Sequence, residues 1–235
     1  MRDRAFARLV RTQITAFQQR RSWGGWAWRR LRYALRSWPC RLGRCTQGKG
    51  ITEHTFLLLD LLFVFDLYEL LATLLSPRDR GLTPGEYTLL YPYFGDSVPY
   101  ELIRIDERAH LGPRRGNFCY VSFHTINSWG PMSSAILVHE VVHVWQYTHR
   151  GAVYIPRALR AQRSELRYDY GGLNGLGRAD ELEDLNYEQM ADVIEDAYRL
   201  ANGYPAQWVR GRGTEVLPHY YPFLDELRSA PPAPC

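Results

Sequence analysis

Two histidines and a glutamate stand at a spacing that suits metal chemistry. His139 and His143 lie four residues apart and Glu140 follows the first directly, which is the pattern H-E-x-x-H. Helical residues four apart share a face, separated by about 6 Å along the axis, so both imidazoles can bind one ion. Glu140 then points beside that ion, where it can act as general base toward a water molecule. The motif predicts a zinc site with Glu140 as its catalytic residue.

The residues around this motif predict a buried helix. Residues 136–145 are apolar almost all round apart from the motif itself, which is typical of a helix inside a core. Pro131 and Ser133 favour a helix start, and Gly151 follows its expected end near His149. Burial of an ionised glutamate and two imidazoles is costly without compensation, and a metal ion compensates directly. The alternative is a pair of core or partner-facing histidines with a glutamate on the helix surface.

A third ligand is expected, because zinc in catalytic sites takes three protein ligands and keeps one position open. Glu188 and Asp192 lie four residues apart on a helix predicted over residues 186–202. Glu188 could ligate while Asp192 accepts a hydrogen bond from a ligating imidazole and fixes its tautomer. The open alternative is a solvated acidic face, on which Glu195 and Arg199 form a helix salt bridge.

His149 lies ten residues after His139, a spacing that can supply a third histidine only if the helix breaks between them. Position 146 holds Gln146 where that arrangement needs glycine. On an unbroken helix, His149 lies about 9 Å beyond His143 along the axis. We therefore do not expect His149 to bind the metal.

The other elements predict an α+β fold. Residues 83–86, Thr-Pro-Gly-Glu, carry the signature of a capped helix start, and that helix should end near Gly95. Two strands are expected over residues 100–106 and 117–125, separated by a turn rich in glycine, proline and arginine. The expected organisation is a basic helical extension over residues 1–50, an apolar helix over 51–79, a catalytic domain over 80–229 and a frayed Pro-rich tail over 230–235.

The charge of the chain is concentrated at its start. The net charge is +4, yet residues 1–50 hold twelve arginines and one lysine against a single acidic residue, Asp3. Tryptophans alternate with these arginines, so the segment suits an anionic membrane surface. Nucleic acid is not expected as a partner, because nothing here specifies a groove or a base contact. The plainer interpretation is a poorly ordered basic tail.

The apolar run over residues 56–75 has the length of a membrane span but contains Asp60, Asp66 and Glu69. A carboxylate near the bilayer centre costs about 2.5–3.5 kcal/mol on insertion scales. A buried or interfacial helix is therefore favoured over a span. The four cysteines, at positions 40, 45, 119 and 235, are expected to be ordinary thiols, which favours a reducing compartment.

The H-E-x-x-H motif followed by Glu188 and then Asp192 resembles the gluzincin arrangement of zinc metallopeptidases. Three further segments are similar to the Vgr-related proteins, a group of small bacterial metallopeptidases allied to the core of extracellular contractile injection systems. These segments are residues 82–86, 94–96 and 138–146. The resemblance covers about residues 80–202 and implies a compact zincin-like domain. Such a domain has an HExxH active-site helix, a small antiparallel sheet and a second, Glu-bearing helix.

A zinc peptidase follows as the predicted function, with one Zn²⁺ per chain held by His139, His143 and Glu188 and a peptide or protein substrate. In zincins an extended substrate pairs with a sheet edge, for which residues 117–125 are the candidate. The candidates for an oxyanion partner are Tyr168, Tyr170, Tyr187 and His219, each of which is more often a packing residue.

Two rival functions belong to other classes. One is a non-catalytic, zinc-stabilised structural or adaptor component of a bacterial secretion or injection system. The other is a membrane- or nucleic-acid-binding protein that acts through residues 1–50. An anionic membrane surface or a secretion apparatus stays open as a partner of residues 1–75. The expected compartment is the cytoplasm, with membrane association and export by an injection system as open alternatives.

Overall fold

The computed structural model describes residues 23–75, 79–109 and 119–232, which form a mostly helical α+β fold. The helices are α1 (Trp23–Arg44), α2 (Ile51–Leu61), α3 (Val64–Leu75), α4 (Pro84–Phe94), α5 (Ser134–Arg150), α6 (Tyr154–Gln162), α7 (Gly172–Leu176), α8 (Tyr187–Ala201) and α9 (Tyr221–Ser229). Short 3₁₀ segments cover Gly151–Val153, Leu182–Asp184 and Thr214–His219. The α+β class predicted from the sequence is confirmed.

Four short strands form one mixed sheet. They are β1 (Arg80–Gly81), β2 (Arg104–Asp106), β3 (Tyr120–Ser122) and β4 (Thr125–Asn127). Their order is β1-β2-β4-β3, in which β2 and β4 are parallel and the other two pairs are antiparallel. The prediction of an antiparallel sheet is therefore wrong for the central pair.

The reason is a turn inside the segment expected as one strand. Phe123 has a φ of 61°, a left-handed conformation that reverses the chain between β3 and β4. The resulting hairpin places β4 beside β2 and leaves β3 at the edge of the sheet. The strand expected over residues 100–106 is also shorter, since only Arg104–Asp106 pair.

The two capped helices begin and end where the sequence predicts. The Thr83 hydroxyl accepts a hydrogen bond from the Glu86 backbone N–H, and the Glu86 carboxylate accepts one from the Thr83 N–H, which begins α4. In α5 the Ser133 hydroxyl accepts a hydrogen bond from the Ile136 N–H across 3.3 Å. Gly151, with a φ of 72°, follows the last residue of that helix, as a left-handed C-terminal glycine does.

The main core lies between α5 and α8, with α4, α9 and the sheet packed around them. Val138, Val141 and Val142 from α5 meet Ala191 and Ile194 from α8, and all five are at most 1% exposed. Complete burial of such aliphatic side chains contributes about 1.5–3 kcal/mol each. Helices α6 and α9 were not predicted. Helix α9 packs against this core, whereas α6 contributes to a second, smaller apolar cluster.

The apolar segment expected as one helix over residues 51–79 is two helices, α2 and α3. The break falls at Leu62 and Phe63, where Phe63 has a φ of 59°. Because the chain turns there, the carboxylates of Asp60, Asp66 and Glu69 all point to the protein side, and none is more than 8% exposed. None of the helices in the described part of the chain is long and apolar enough to cross a membrane.

Helix α1 places two buried arginines among these carboxylates. Arg41 lies 3.3 Å from Asp60 and 2.5 Å from Asp66, and Arg30 pairs with Glu69. Burial of the charges is compensated because each arginine meets at least one carboxylate. Residues 23–44 are therefore not a poorly ordered tail, while residues 1–22 lie outside the described residues.

The cysteines depart in part from the sequence prediction of free thiols. Cys45 and Cys119 are free, whereas Cys40, near the end of α1, is disulfide-bonded. The expectation that all four cysteines are thiols is thus wrong for Cys40, because spacing alone carries no information on which cysteines meet in space.

Candidate metal centre

Two facing helices bring the three predicted ligands together. His139 and His143 occupy successive turns of α5, and Glu188 lies in the first turn of α8. The Asn186 side chain accepts hydrogen bonds of 2.9 Å from the backbone N–H groups of Glu188 and Gln189, which begins α8 at that point. This cap fixes the height at which the Glu188 carboxylate faces the two imidazoles.

The three ligand atoms have the geometry of a metal site. Glu188 Oε2 lies 3.6 Å from Nε2 of His139 and 3.6 Å from Nε2 of His143. One ligand atom from each of the three residues lies within 4.8 Å of the others, and the His139, His143 and Glu188 side chains are 12%, 8% and 1% exposed. Bonds of about 2.0–2.2 Å to a central zinc ion place its ligands a little over 3 Å apart. The residues present therefore fit zinc with little adjustment.

Glu188 presents only one of its oxygens to the histidines. Its Oε1 accepts a hydrogen bond of 2.9 Å from the Gln162 side chain on α6, which leaves Oε2 directed at the imidazoles. Burial raises the pKa of Glu188, but His143 and His139 outweigh that effect and hold the pKa well below its usual range. The carboxylate is thus held in its ionised, ligating form.

Gln146 fixes the tautomer of His143. The Gln146 side-chain NH₂ donates to the backbone carbonyl of Tyr187 across 2.8 Å, so its oxygen must face the other way. That oxygen lies 2.9 Å from Nδ1 of His143, which therefore carries the hydrogen and donates it. Nε2 of His143 is then left with a free lone pair toward the ligand cluster, which metal binding requires.

Asp192 lies beside the other histidine, His139, and Glu195 joins it. Nδ1 of His139 lies 2.9 Å from Asp192 and 3.2 Å from Glu195, although neither contact has the angles of a hydrogen bond. Burial lowers the pKa of His139, but the neighbouring carboxylates outweigh it and raise the pKa well above its usual value. Trp208 holds Asp192 in place with a hydrogen bond of 2.5 Å from its indole N–H.

Glu140 lies beside the cluster with an oxygen that is not engaged. It is 5% exposed, and its Oε2 has no hydrogen-bond partner among the residues that the structure describes. Burial raises the pKa of this carboxyl, while His139 and His143 lower it to a smaller extent. A buried carboxylate with an unpartnered oxygen lowers the stability of the fold. An acid–base role at this cavity would account for a glutamate at this position.

A cavity of about 670 Å³ opens above these residues. Its walls are the edge strand β3, with Cys119 before it, the motif face of α5, several residues of α6, and Tyr168. The edge strand that sequence analysis expected to receive an extended substrate thus borders the candidate metal centre, although only Tyr120–Ser122 of it form a strand.

The four oxyanion candidates lie in different places. Tyr168 lines the cavity, and its ring centroid is 6.2 Å from that of His139. The Tyr170 hydroxyl bonds Asp196 at 2.7 Å instead, and the Tyr187 hydroxyl accepts from Arg157. His219 is an exposed residue at the end of a 3₁₀ segment and does not line the cavity. The structure brings only Tyr168 to the site.

His149 stands apart from the ligand cluster. Its Nε2 lies 2.8 Å from the backbone carbonyl oxygen of Ser97, a position consistent with the expectation that it is not a ligand. The Glu195–Arg199 salt bridge proposed from the sequence is present at 2.7 Å.

Three contributors were missed by sequence reasoning. Gln146 stands three residues after His143, so helix periodicity could have suggested it, and Glu195 bears the same relation to Asp192. Gln162 carried no signal, because the helix that presents it to Glu188 was itself not predicted.

Comparison with known proteins gives one distant similarity. The chain is similar to the type VI secretion system spike protein VgrG2b of Pseudomonas aeruginosa, with 25% identity over 153 residues. The match covers 60% of this chain and only 15% of the length of that protein. No family model matches, and no solved structure matches. The similarity agrees with the resemblance to Vgr-related proteins, while the gluzincin assignment stays a prediction.

Proposed function

We propose that this protein is a zinc-dependent peptidase, in which His139, His143 and Glu188 hold one zinc ion per chain. The observation that carries the proposal is the convergence of three ligand atoms near Glu140, whose Oε2 lacks a partner among the described residues, on the wall of a cavity. When bound, zinc supplies Lewis-acid chemistry, polarising a carbonyl and lowering the pKa of a water molecule to about 7.

The chain's own groups supply the remaining steps. Glu140 accepts a proton from the attacking water at Oε2 and later delivers it to the leaving amine of the peptide. Tyr168, whose pKa burial raises to about 12, stays protonated and can donate a hydrogen bond to the developing oxyanion. Strand β3 offers backbone groups at the sheet edge, with which an extended peptide or protein substrate can pair.

The first test is the zinc content of purified protein. Wild type should carry about one zinc per chain, and His143→Ala and Glu188→Ala should lose it. His54→Ala and Glu215→Ala, which change exposed residues of the same types, are the matched controls and should keep the metal. If wild type carries no zinc and takes none up on addition, the proposal fails.

The second test separates catalysis from metal binding. Glu140→Gln should keep zinc and the fold while losing at least about 100-fold in cleavage of a quenched-fluorescent peptide library, because general base catalysis contributes about 10²–10⁴-fold. Cleavage by Glu140→Gln at the wild-type rate would contradict the role given to Glu140.

A second candidate is a non-catalytic, zinc-stabilised structural or adaptor component of a bacterial secretion or injection system. The similarity to a secretion-system spike protein favours it, and fits it better than it fits a peptidase. In this case chelation lowers the unfolding temperature, no peptide in the library is cleaved, and Glu140→Gln supports secretion as well as wild type does. The same secretion measurement tells whether the protein stays in the cytoplasm or is exported by such a system.

A further inference from the structure

Helix α1 buries charged and polar side chains together with Trp26, Tyr33 and Ala34, and it exposes a stripe of large apolar side chains. Its protein-facing positions include Arg30, Ser37 and Arg41, each at most 3% exposed. Its outward stripe, at alternating spacings of three and four residues, consists of Trp28, Leu31, Leu35, Trp38 and Leu42, which are 43–60% exposed. This order is the reverse of an ordinary surface helix, whose apolar stripe faces the core.

The α2–α3 segment repeats this inversion. Every residue of 58–74 that is classed as exposed is apolar. These residues are Leu58, Leu62, Val64, Leu67, Tyr68, Leu71 and Leu74. Within residues 58–74 the charged residues are Asp60, Asp66 and Glu69, and all three point inward to Arg30 and Arg41. We call the outward stripe of α1 and the exposed residues of 58–74 the apolar surface.

Because these carboxylates pair with arginines on the protein side, contact of the outer side with lipid does not require a charge to enter hydrocarbon. In sequence alone, three carboxylates make the segment over residues 56–75 expensive to place in hydrocarbon. In the structure they are neutralised on the protein side, so the outward side of residues 58–74 presents no charge to a bilayer. The three helices that carry these exposed side chains contact one another, and large apolar side chains that cluster on a protein surface often mark an interaction site.

The charges on α1 indicate which partner fits. Arg32 and Arg36 are exposed next to the outward stripe, and the helix contains no acidic residue. A second copy would present the same arginines, with no exposed carboxylate on α1 or on residues 58–74 to pair with them. Lipid phosphates complement arginines, and Trp28 and Trp38 suit the boundary between headgroups and acyl chains.

We propose that the apolar surface docks onto an anionic lipid membrane without crossing it. The leucines enter the acyl boundary, and Arg32 and Arg36 remain at the level of the phosphates. This inference is independent of the metal centre and would hold for either candidate function.

Vesicle flotation of the full chain tests the proposal. The probes are vesicles of phosphatidylcholine mixed with phosphatidylglycerol, and vesicles of phosphatidylcholine alone. We expect wild type to float with the mixed vesicles, and Leu67→Ser/Leu71→Ser to bind at least about tenfold more weakly, because less apolar area is buried. Leu166→Ser/Tyr204→Ser removes two comparably exposed apolar residues outside the apolar surface and should bind as wild type.

A second variant tests the electrostatic part. Arg32→Gln/Arg36→Gln should weaken binding to the mixed vesicles by about thirtyfold at low salt, with a smaller effect at high salt, because about 1 kcal/mol of attraction is lost for each of the two arginines near the surface. Its binding to phosphatidylcholine alone should match that of wild type.

Three results would overturn the proposal. One is wild type that fails to float with mixed vesicles. Another is Leu67→Ser/Leu71→Ser that floats as wild type does, which would assign binding to residues outside the apolar surface. The third is a dimer of the wild type, seen by sedimentation velocity, that becomes a monomer in Leu67→Ser/Leu71→Ser while neither protein binds vesicles. That result would mean that a second copy of the chain covers the apolar surface.

Discussion

Tyr147 donates a hydrogen bond to Asp60 across 3.1 Å. Tyr147 lies one turn after His143 on α5, whereas Asp60 belongs to the carboxylate cluster that the arginines of α1 enter. Both side chains are buried, so the bond joins the helix of the candidate metal centre to the N-terminal helices through the interior. The N-terminal helices are therefore a packed part of the body that carries the site.

Removal of this bond should destabilise the protein without affecting the metal. Tyr147→Phe leaves the packing of the ring but removes the donor to Asp60, and loss of a buried hydrogen bond to a charged group costs about 1–3 kcal/mol. The measurement is the free energy of unfolding in urea, together with zinc content. Tyr221→Phe, at an exposed tyrosine, should change stability by less than about 0.5 kcal/mol. Equal effects of the two substitutions would contradict the argument.

The buried Arg41 should contribute far more to the free energy of unfolding than the exposed arginines of the same helix do. Arg41→Met leaves Asp60 and Asp66 without their main partner, and breaking a buried ion pair costs about 3–5 kcal/mol. Arg36→Met changes an exposed arginine of the same helix and should cost less than about 0.5 kcal/mol. Both are measured by denaturant unfolding at neutral pH.

The pH dependence gives this prediction a second readout. Burial already raises the pKa of Asp60, although Arg41 opposes the effect, and removal of Arg41 raises the pKa further. A carboxyl whose folded pKa lies above its unfolded value favours the folded state more strongly as pH falls. The destabilisation by Arg41→Met should therefore shrink toward low pH, and a constant difference would count against the ion-pair explanation.

Local signals in the sequence predicted the elements that carry the ligands. The predicted caps at Thr83 and Ser133 and the glycines at 95 and 151 are short-range features, which act within one turn of a helix, whereas the cap formed by Asn186 is seen only in the structure. They set the ends of α4, α5 and α8 as the structure has them. The H-E-x-x-H spacing likewise depends only on helix geometry, so the convergence of His139 and His143 could be anticipated.

What could not be predicted depends on contacts between distant segments. The parallel pairing of β2 with β4 follows from a turn at Phe123, a residue with no turn propensity of its own. The inversion of α1 follows from arginines meeting carboxylates up to 39 residues away. The composition shows a basic segment over residues 1–50 and an apolar run with three carboxylates over residues 56–75. It does not show that the arginines of the first pair with the carboxylates of the second.

Gln146 should control zinc affinity through His143. Gln146→Met removes the acceptor that fixes the imidazole tautomer, and loss of such an outer contact costs about 10–100-fold in metal affinity. Gln146→Glu keeps an acceptor toward Nδ1 and should bind zinc at least tenfold more tightly than Gln146→Met does. Competition with a chelating dye measures both zinc affinities. Equal losses of affinity in the two variants would show that Gln146 acts through its packing and not through its hydrogen bond to His143.

His149 should make stability depend on pH in a defined window. Burial lowers its pKa to about 4, assisted by Arg44 and Arg150 and opposed by the Ser97 carbonyl. The unfolded histidine titrates near 6.5. Between these values the unfolded state binds a proton that the folded state does not, so the free energy of unfolding falls as pH falls from about 6.5 to about 4.

The size of the effect is at most about 3.4 kcal/mol, from the difference between the two pKa values. His149→Gln keeps a donor toward the Ser97 carbonyl but does not titrate, so its free energy of unfolding should fall less steeply over the same window. Urea unfolding of both proteins at several pH values isolates the contribution, because every other group is shared. Parallel curves for the two proteins would mean that His149 has the same pKa in the folded and unfolded states, which would contradict the predicted effect of burial.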